Sequence, residues 1–372
     1  MGKQNSINKK MIPVTKSFIP SIEEYTAQVQ RAFNNGWLTN RGELVLELEQ
    51  QLTNYLNLQE SKILCMNNGT IPLQIALKVL AQGGEVITTP FTYVATTAAI
   101  VWENCSPVFV DIHPEYLTID ETKIEAAITD KTTCILATHV FGNPCKIEEI
   151  EHIAKKHNLK VIYDAAHCFG VTYKGKSIFE YGDVSTCSFH ATKLFHTGEG
   201  GALFCKDPEL FHQLYYSHNF GHNGPLKFHG LGINGKLSEL QSAMGLAMLP
   251  YLDKILWGRK HIISLYEKKL SKEKYNLFKT RAYTAWNYSY YPIIFENEQK
   301  LIEIEKKLND EFIFPRRYFY PSLHKLPYLK NENLSMAEKI SKIILCLPLY
   351  IGLSDENVDK ICNILNEKDN CN

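Results

Sequence analysis

The residues able to do chemistry gather around one lysine. In Ser185-Thr-Cys-Ser-Phe-His-Ala-Thr-Lys193-Leu-Phe-His-Thr-Gly-Glu-Gly-Gly201, an apolar β-rich run carries Ser188 and His190 up to Lys193. Glycines at 198, 200 and 201 then precede a second apolar run, Ala202-Leu-Phe-Cys205, so the pattern predicts strand, loop, strand. A lysine flanked by hydroxyls and glycine, placed where its ammonium loses hydration, has a lowered pKa and suits nucleophilic imine formation. Taken alone, the loop also fits a solvated surface charge. Two other stretches have matching chemistry. Asn67-Asn-Gly-Thr70 opens a helix with Thr70 as N-cap, and a Gly-Thr at a helix N-terminus offers N–H groups, a hydroxyl and the positive dipole end to a phosphate, or an ordinary cap. Asp164 ends an apolar run and is followed by Ala165-Ala166-His167. Its carboxylate can pair with a cationic ring nitrogen while the imidazole lies over or beside that ring, or it can cap the next helix.

These groups need a scaffold that brings them to one edge. Short apolar runs at 62–66, 85–88, 107–112, 133–138 and 159–164 alternate with helical patterns at 71–81, 93–103, 124–128 and 147–157. Such alternation predicts an α/β fold, a mostly parallel sheet covered by helices on both faces. Ligands bind beyond the carboxyl ends of such strands, which places residues 67–70, 90–93, 139–143, 164–167 and the Lys193 loop together. Two helices precede the sheet, Ser21 to about Asn35 and Glu43 to Leu56, separated by Gly36-Trp-Leu-Thr-Asn-Arg-Gly42. That turn can face a ligand, or Trp37 can serve tertiary packing. A long helix from Ser238 to about Leu270 is expected to lead from a large domain, 1–245, to a small α+β C-terminal domain, 246–372. The latter holds an aromatic-rich run, Tyr283 to Phe295, and the segment Phe312-Ile-Phe-Pro-Arg-Arg-Tyr-Phe-Tyr-Pro-Ser-Leu-His324.

Composition removes several function classes. The 372 residues carry 40 Lys+Arg against 40 Asp+Glu, so no overall field draws the chain to nucleic acid or an anionic membrane. No apolar stretch is long enough to span a bilayer, and Met1-Gly-Lys-Gln-Asn-Ser-Ile-Asn-Lys-Lys10 has no signal-peptide core. The 10 cysteines form no Cys-x-x-Cys pair, and several sit in apolar runs as small hydrophobes of a reducing compartment. A cytoplasmic protein without a metal site is expected. Met1 to Ser6 fits the loose myristoylation pattern, and Asn287-Tyr-Ser and Asn333-Leu-Ser fit the glycosylation pattern, idle without secretion. His218 and His222 have helical metal spacing, but Asn219-Phe-Gly221 between them argues for a loop. Asn67-Asn-Gly-Thr-Ile-Pro72 lacks the Gly-x-Gly-x-x-Gly of a nicotinamide dehydrogenase.

A phosphate seat, a strand-end Asp and a later Lys preceded by a Ser match the needs of pyridoxal phosphate. With these residues the sequence resembles fold-type-I pyridoxal phosphate enzymes, specifically the DegT/StrS family of nucleotide-sugar aminotransferases. The resemblance spans nearly the whole chain. It rests on Gly36-Trp-Leu-Thr39, Asn68-Gly-Thr70, Thr89-Pro-Phe-Thr-Tyr-Val-Ala-Thr96, Pro107-Val-Phe-Val-Asp-Ile112, His139-Val-Phe-Gly-Asn143, Asp164-Ala-Ala-His167, Ser188-Phe-His-Ala-Thr-Lys193, Gly198-Glu-Gly-Gly201, Gly232-Ile-Asn-Gly-Lys-Leu-Ser-Glu-Leu-Gln241 and Leu345-Cys-Leu-Pro-Leu-Tyr350.

The resemblance implies that Lys193 is the Schiff-base lysine and proton shuttle. It implies that Asp164 holds the pyridine nitrogen protonated, that Asn68, Gly69, Thr70 and Ser188 hold the phosphate, and that His167 stacks on the ring where many relatives have Gln. Tyr93 and His190 are expected around the cofactor, and Asn234 at the phosphate of the neighbouring subunit, in a homodimer with shared active sites. Trp37, Thr39, Glu199, Arg316, Arg317, Tyr318, Tyr320 and His324 are the expected substrate contacts. The implied reaction has two halves: L-glutamate converts the cofactor to pyridoxamine phosphate, which then aminates a nucleotide-linked keto-sugar. Phe189-His-Ala-Thr-Lys193 with Gly198-Glu-Gly-Gly201 is similar to the viosamine-forming enzymes, which aminate dTDP-4-keto-6-deoxyglucose at C4. The 3-amino-sugar branch usually has Lys-Asn-Leu-Gly and Gly-Asp-Gly-Gly there. A UDP-linked 4-keto sugar or a 3-keto isomer is the alternative. The dehydratase branch has His in place of the lysine, and a non-catalytic relative would be expected to lose Lys193 or Asp164. O-antigen lipopolysaccharide is the implied destination.

Overall fold

The computed structural model describes residues 11–271, 273–329 and 334–367. Met1 to Ser6, Asn333 and Cys371 therefore lie outside the described residues. Seven strands form the central sheet: β1 (Lys62–Met66), β2 (Glu85–Thr88), β3 (Ser106–Phe109), β4 (Thr132–Thr138), β5 (Lys160–Asp164), β6 (Val184–Ser188) and β7 (Gly201–Cys205). Their order is β1-β7-β6-β5-β4-β2-β3. All neighbours pair parallel except β7, which runs antiparallel between β1 and β6. The exception follows from the connection: β6 reaches β7 through the Lys193 loop, without the helical crossover that returns a chain to a parallel position.

Helices cover both faces. Beneath one lie α1 (Ile22–Asn35) and α2 (Glu43–Tyr55), whose Leu44, Leu48 and Leu52 are fully buried with Tyr163 and Phe204 in the largest core cluster. Truncating one such leucine costs about 2–5 kcal/mol. On the other, α3 (Ile71–Leu80) buries Leu73, Ile75 and Leu77 against β1, β5 and β6 residues. Next in the chain come α4 (Val94–Trp102) and α5 (Ile147–His157).

The helix expected over 238–270 is broken. It forms α6 (Glu239–Met248) and α7 (Leu252–Lys269) around a 3-10 turn at Leu249–Tyr251, because Pro250 has no N–H to donate and its ring crowds the preceding turn. A further core cluster gathers the last half of α7 with C-terminal residues such as Ile293, Leu308 and Leu345. Two strand pairings cross the expected domain division. Ile12–Pro13 pairs with Ile313–Phe314, so the first strand joins the C-terminal unit rather than residues up to 245. Thr284–Ala285 pairs with Thr172–Tyr173 in a separate three-stranded sheet, which ties the aromatic run to the large domain. Asp111 adds a third link by accepting hydrogen bonds from Met336 and Ala337 N–H at the start of α8 (Ser335–Ile343), 2.9 and 2.8 Å.

Candidate active site

The carboxyl ends of β1, β2, β4, β5 and β6 meet at a cleft enclosing about 1000 Å³, part of it open to solvent. Asn68, Gly69, Thr70, Tyr93, Asp164, His167, Ser188, His190, Lys193, Glu199, Arg316 and Tyr318 all line it.

Asp164 is the last residue of β5, between Thr138 of β4 and Thr186 of β6, and is buried. Its Oδ2 accepts from Thr96 Oγ1 at 2.6 Å and its Oδ1 from Ala166 N–H at 3.1 Å. Thr96 spends its one hydroxyl hydrogen there, so Thr92, 3.0 Å away, donates to Thr96. Among the described residues no basic side chain forms an ion pair with Asp164. Burial therefore pushes its carboxyl pKa up, against the lowering by Thr96, Ala166 N–H and Lys193. The carboxylate sits at the floor of a cleft and lacks a cation.

Lys193 has the complementary property. Burial lowers its ammonium pKa, opposed by Tyr318, Asp164, Cys187 and Tyr93, which puts an uncharged amine within reach. His167 Nδ1 accepts from Phe141 N–H at 3.1 Å, so its ring proton is on Nε2. Burial and the nearby Lys193 hold it neutral, well below the usual histidine range. Its ring lies nearly parallel to Phe319, 5.9 Å away and 3° inclined.

At the opposite wall Gly69 approaches Ser188 so closely that a Cβ on residue 69 would lie 2.6 Å from Ser188 Cβ and 2.7 Å from its Oγ. The cap of α3 differs from expectation. Thr70 makes no side-chain cap; Asn68 Oδ1 accepts from Thr70 and Ile71 N–H at 2.8 and 2.9 Å. Asn68 fits because its side-chain carbonyl reaches the N–H groups two and three residues forward, as in an Asx turn. His190 Nε2 lies 3.6 Å from Glu199 Oε1 at the cleft's mouth.

Other expected residues lie elsewhere. Trp37 and Thr39 are exposed and do not line their own chain's cleft, because the 36–42 turn is anchored on α6, with Leu38 O accepting from Glu239 N–H at 3.1 Å. Asn234 is exposed too, its Oδ1 accepting from Lys236 Nζ at 2.8 Å. His324 is not a cleft residue. It has no exposed surface and hydrogen-bonds Ser322 Oγ at 3.0 Å, since the chain turns inward after Pro321. Tyr320 lines an adjoining recess of about 530 Å³ with Tyr93, Arg316 and Arg317. Arg317 is committed to Glu298 at 2.6 Å and the Lys342 carbonyl at 2.9 Å, whereas Arg316 packs over Tyr318 without an acidic partner among the described residues.

Thr138, Phe319 and Tyr290 also line the cleft, and Thr96 supports Asp164 from behind, although none of the four was an expected site residue. Thr96 ends a motif quoted above with no role attached. Thr138 Oγ1 is buried at the cleft without a hydrogen-bond partner among the described residues.

A family model for the DegT/DnrJ/EryC1/StrS aminotransferases matches residues 21–366. The chain belongs to that family. A dTDP-4-amino-4,6-dideoxy-D-glucose transaminase of Escherichia coli is 39% identical over 374 residues, covering 96% of this chain and 99% of that protein. GDP-perosamine synthase of Escherichia coli O157:H7 is 32% identical over 375 residues, covering 96% and 98%. A structure of DesI in the presence of its TDP-sugar product superposes with a TM-score of 0.88 at 28% identity, covering 95% of this chain and 92% of that one. Aminotransferases of the family depend on pyridoxal 5'-phosphate. The cleft fits that cofactor on three counts: a buried carboxylate without a cation for the pyridinium, a dehydrated lysine for the aldehyde, and a wall at Gly69 that a side chain would fill.

Proposed function

We propose that this aminotransferase moves an amino group from L-glutamate to C4 of dTDP-4-keto-6-deoxyglucose, giving dTDP-4-amino-4,6-dideoxyglucose. The observation that carries the reading is the meeting of Asp164, Lys193 and the Gly69–Ser188 wall in one cleft of a chain 39% identical, over 96% of its length, to a transaminase named for that sugar.

Pyridoxal phosphate, when bound, supplies an aldehyde for the amino group and a protonated ring that accepts the electron pair of the broken C–H bond. The chain's residues do the rest. Asp164 keeps the ring nitrogen protonated, its charge maintained by Thr96. Gly69, Thr70 and Ser188 would seat the phosphate, and Asn68 holds the turn through the Thr70 and Ile71 N–H groups. His167, fixed as a neutral ring, packs on the cofactor's face without competing for its protons. Lys193 Nζ would take the proton from the carbon that bears the donor's amino group and return it on the far side of that nitrogen, a 1,3 transfer. Arg316, lacking an acid partner, suits the nucleotide's phosphates, with Tyr93, Tyr318 and Tyr320 around it.

The same reading places a second copy of the chain against the exposed apolar residues Trp37, Leu38, Phe228 and Leu231, so that Asn234 reaches the partner's phosphate seat. The large domain is taken as ending near 245, apart from the first strand. A cytoplasmic location is supported by nine free, buried cysteines among the described residues, as in a reducing compartment. No helix among the described residues is long and apolar enough to cross a membrane. O-antigen synthesis is the proposed setting.

The test is the absorbance spectrum of purified protein. A band near ~420 nm should move toward ~330 nm with glutamate and return with dTDP-4-keto-6-deoxyglucose. Return only with a GDP- or UDP-linked or 3-keto sugar overturns the substrate. A protein that stays colourless with added cofactor overturns the chemistry.

A further inference from the structure

The proposed reaction leaves two groups beside Lys193 without a task, Tyr290 and Arg259. Pairing of Thr284–Ala285 with Thr172–Tyr173, in a small three-stranded sheet of its own, ties the segment holding Tyr290 to the large domain. There Tyr290 Oη lies 3.4 Å from Lys193 Nζ and accepts its hydrogen bond. Among the described residues no other side chain hydrogen-bonds that amine. The phenol ring is wedged between His167, 4.7 Å away, and Tyr318, 5.3 Å away and edge-on. Burial raises the phenol pKa further from neutrality, so the hydroxyl stays protonated and can both accept and donate.

The backbone leading to it is strained and held. Tyr288 has φ 56°, in the left-handed region that a non-glycine residue adopts only when its surroundings hold it there. Arg259 of α7, 5% exposed, donates Nη1 hydrogen bonds to the carbonyls of Tyr288 and Ser289, at 3.4 and 3.2 Å. No carboxylate pairs with it among the described residues, and burial pushes its pKa down to about 10. A buried cation without a counter-ion is costly. Here its side-chain hydrogen bonds go to the two residues that precede Tyr290. Ser289 Oγ ties the same turn to the Phe141 carbonyl at 2.9 Å from the other side.

We infer that Tyr290, held by Arg259 through the carbonyls of residues 288 and 289, is the positioning residue for the Lys193 amine. The inference rests on the aminotransferase reading. When Lys193 Nζ takes up a proton, one ammonium N–H points at Tyr290 Oη. When the proton leaves for the substrate carbon, the phenol O–H turns to donate to the freed lone pair, and the phenol keeps its own proton throughout. The other titratable groups facing the amine are Tyr318, Asp164, Cys187, Tyr93, His167 and Cys168.

The test compares wild type with Tyr290→Phe and Arg259→Lys. In the cofactor-free full chain, reductive methylation of Lys193 by formaldehyde and borohydride is followed against pH by peptide mass spectrometry. Loss of the acceptor weakens the ammonium, so the labelling midpoint falls by about half to one unit, a three- to tenfold gain in labelling at fixed pH. In the loaded enzyme kcat falls about tenfold or more while the KM for glutamate stays within about twofold, as for a misplaced base. Arg259→Lys moves both readouts the same way. An unchanged labelling midpoint in Tyr290→Phe overturns the inference, and an unchanged one in Arg259→Lys alone overturns the part given to Arg259. A wild type that never develops the visible band overturns the aminotransferase reading instead, and the labelling comparison still judges Tyr290.

Discussion

Thr96→Val isolates what one hydroxyl does for the site. Valine keeps the shape of a fully buried side chain and removes only the donor that lies 2.6 Å from Asp164 Oδ2. Burial holds the Asp164 carboxyl above its usual range, and Thr96 provides the largest opposing effect. A hydrogen bond to a charged group is worth about 1.5–3 kcal/mol. At about 1.4 kcal/mol per unit, its loss raises the Asp164 pKa by about 1–2 units. In the proposed role only the ionised carboxylate would hold the cofactor's ring proton, so the acid limb of kcat/KM for the glutamate half-reaction should move up by that amount, with the alkaline limb in place. Stability moves in the same sense. In cofactor-free protein the penalty is absent below about pH 4, where Asp164 is protonated in both folded and unfolded chains, and complete above its raised folded pKa. The assay is stopped-flow absorbance across pH, with thermal unfolding at acid and neutral pH beside it. An acid limb that stays within about 0.3 unit of wild type would refute the reasoning, because the predicted shift is several times larger.

Other expectations follow from single contacts. Lys193→Ala should abolish the visible band of the lysine-bound cofactor and reduce turnover by about 10³-fold or more, the scale of losing a group that both binds and transfers protons. Gly69→Ala puts a methyl 2.6 Å from Ser188 Cβ, so cofactor affinity measured by equilibrium dialysis should fall at least about tenfold while circular dichroism is unchanged. Arg316→Ala should raise the KM for the nucleotide sugar by about tenfold and leave the glutamate half-reaction alone, since one phosphate contact is worth about 1.5–3 kcal/mol. His324→Ala should cost about 2–3 kcal/mol in denaturant unfolding with KM unchanged; a raised KM would return His324 to the substrate site.

Much of the fold could be read directly. The runs at 62–66 and 85–88 and the helix at 147–157 coincide with the observed elements, because strands buried on both faces are continuous apolar runs and an amphipathic helix has its own period. Asp164 and Lys193 were legible for a related reason. Asp164 ends an apolar run and Lys193 follows one in a loop bounded by glycines, and charge beside an apolar run is costly unless used. The cap at Asn68 was missed because Asn and Thr both cap helices, and which one reaches the N–H groups depends on the angle at which β1 enters α3. Pro250 was the visible clue to the broken helix and was passed over in favour of the surrounding periodicity. The placement of His324 inside the second unit had no local sign.

The sequence by itself determined which residues lie at strand ends, that those ends share one edge of a parallel sheet, and therefore that the Asn68–Thr70 turn, a carboxylate and a lysine meet. These are consequences of local periodicity and chain direction. Only the tertiary structure decided which ordinary side chains complete them. Thr96 reaches Asp164 across 68 residues, and Tyr290 reaches Lys193 across 97. Threonine and tyrosine are common, carry no period of their own and become partners only when α4 and the 284–290 segment pack onto the sheet edge. A hydrogen bond forms or fails over a few tenths of an ångström, and that distance is set by the packing of whole elements.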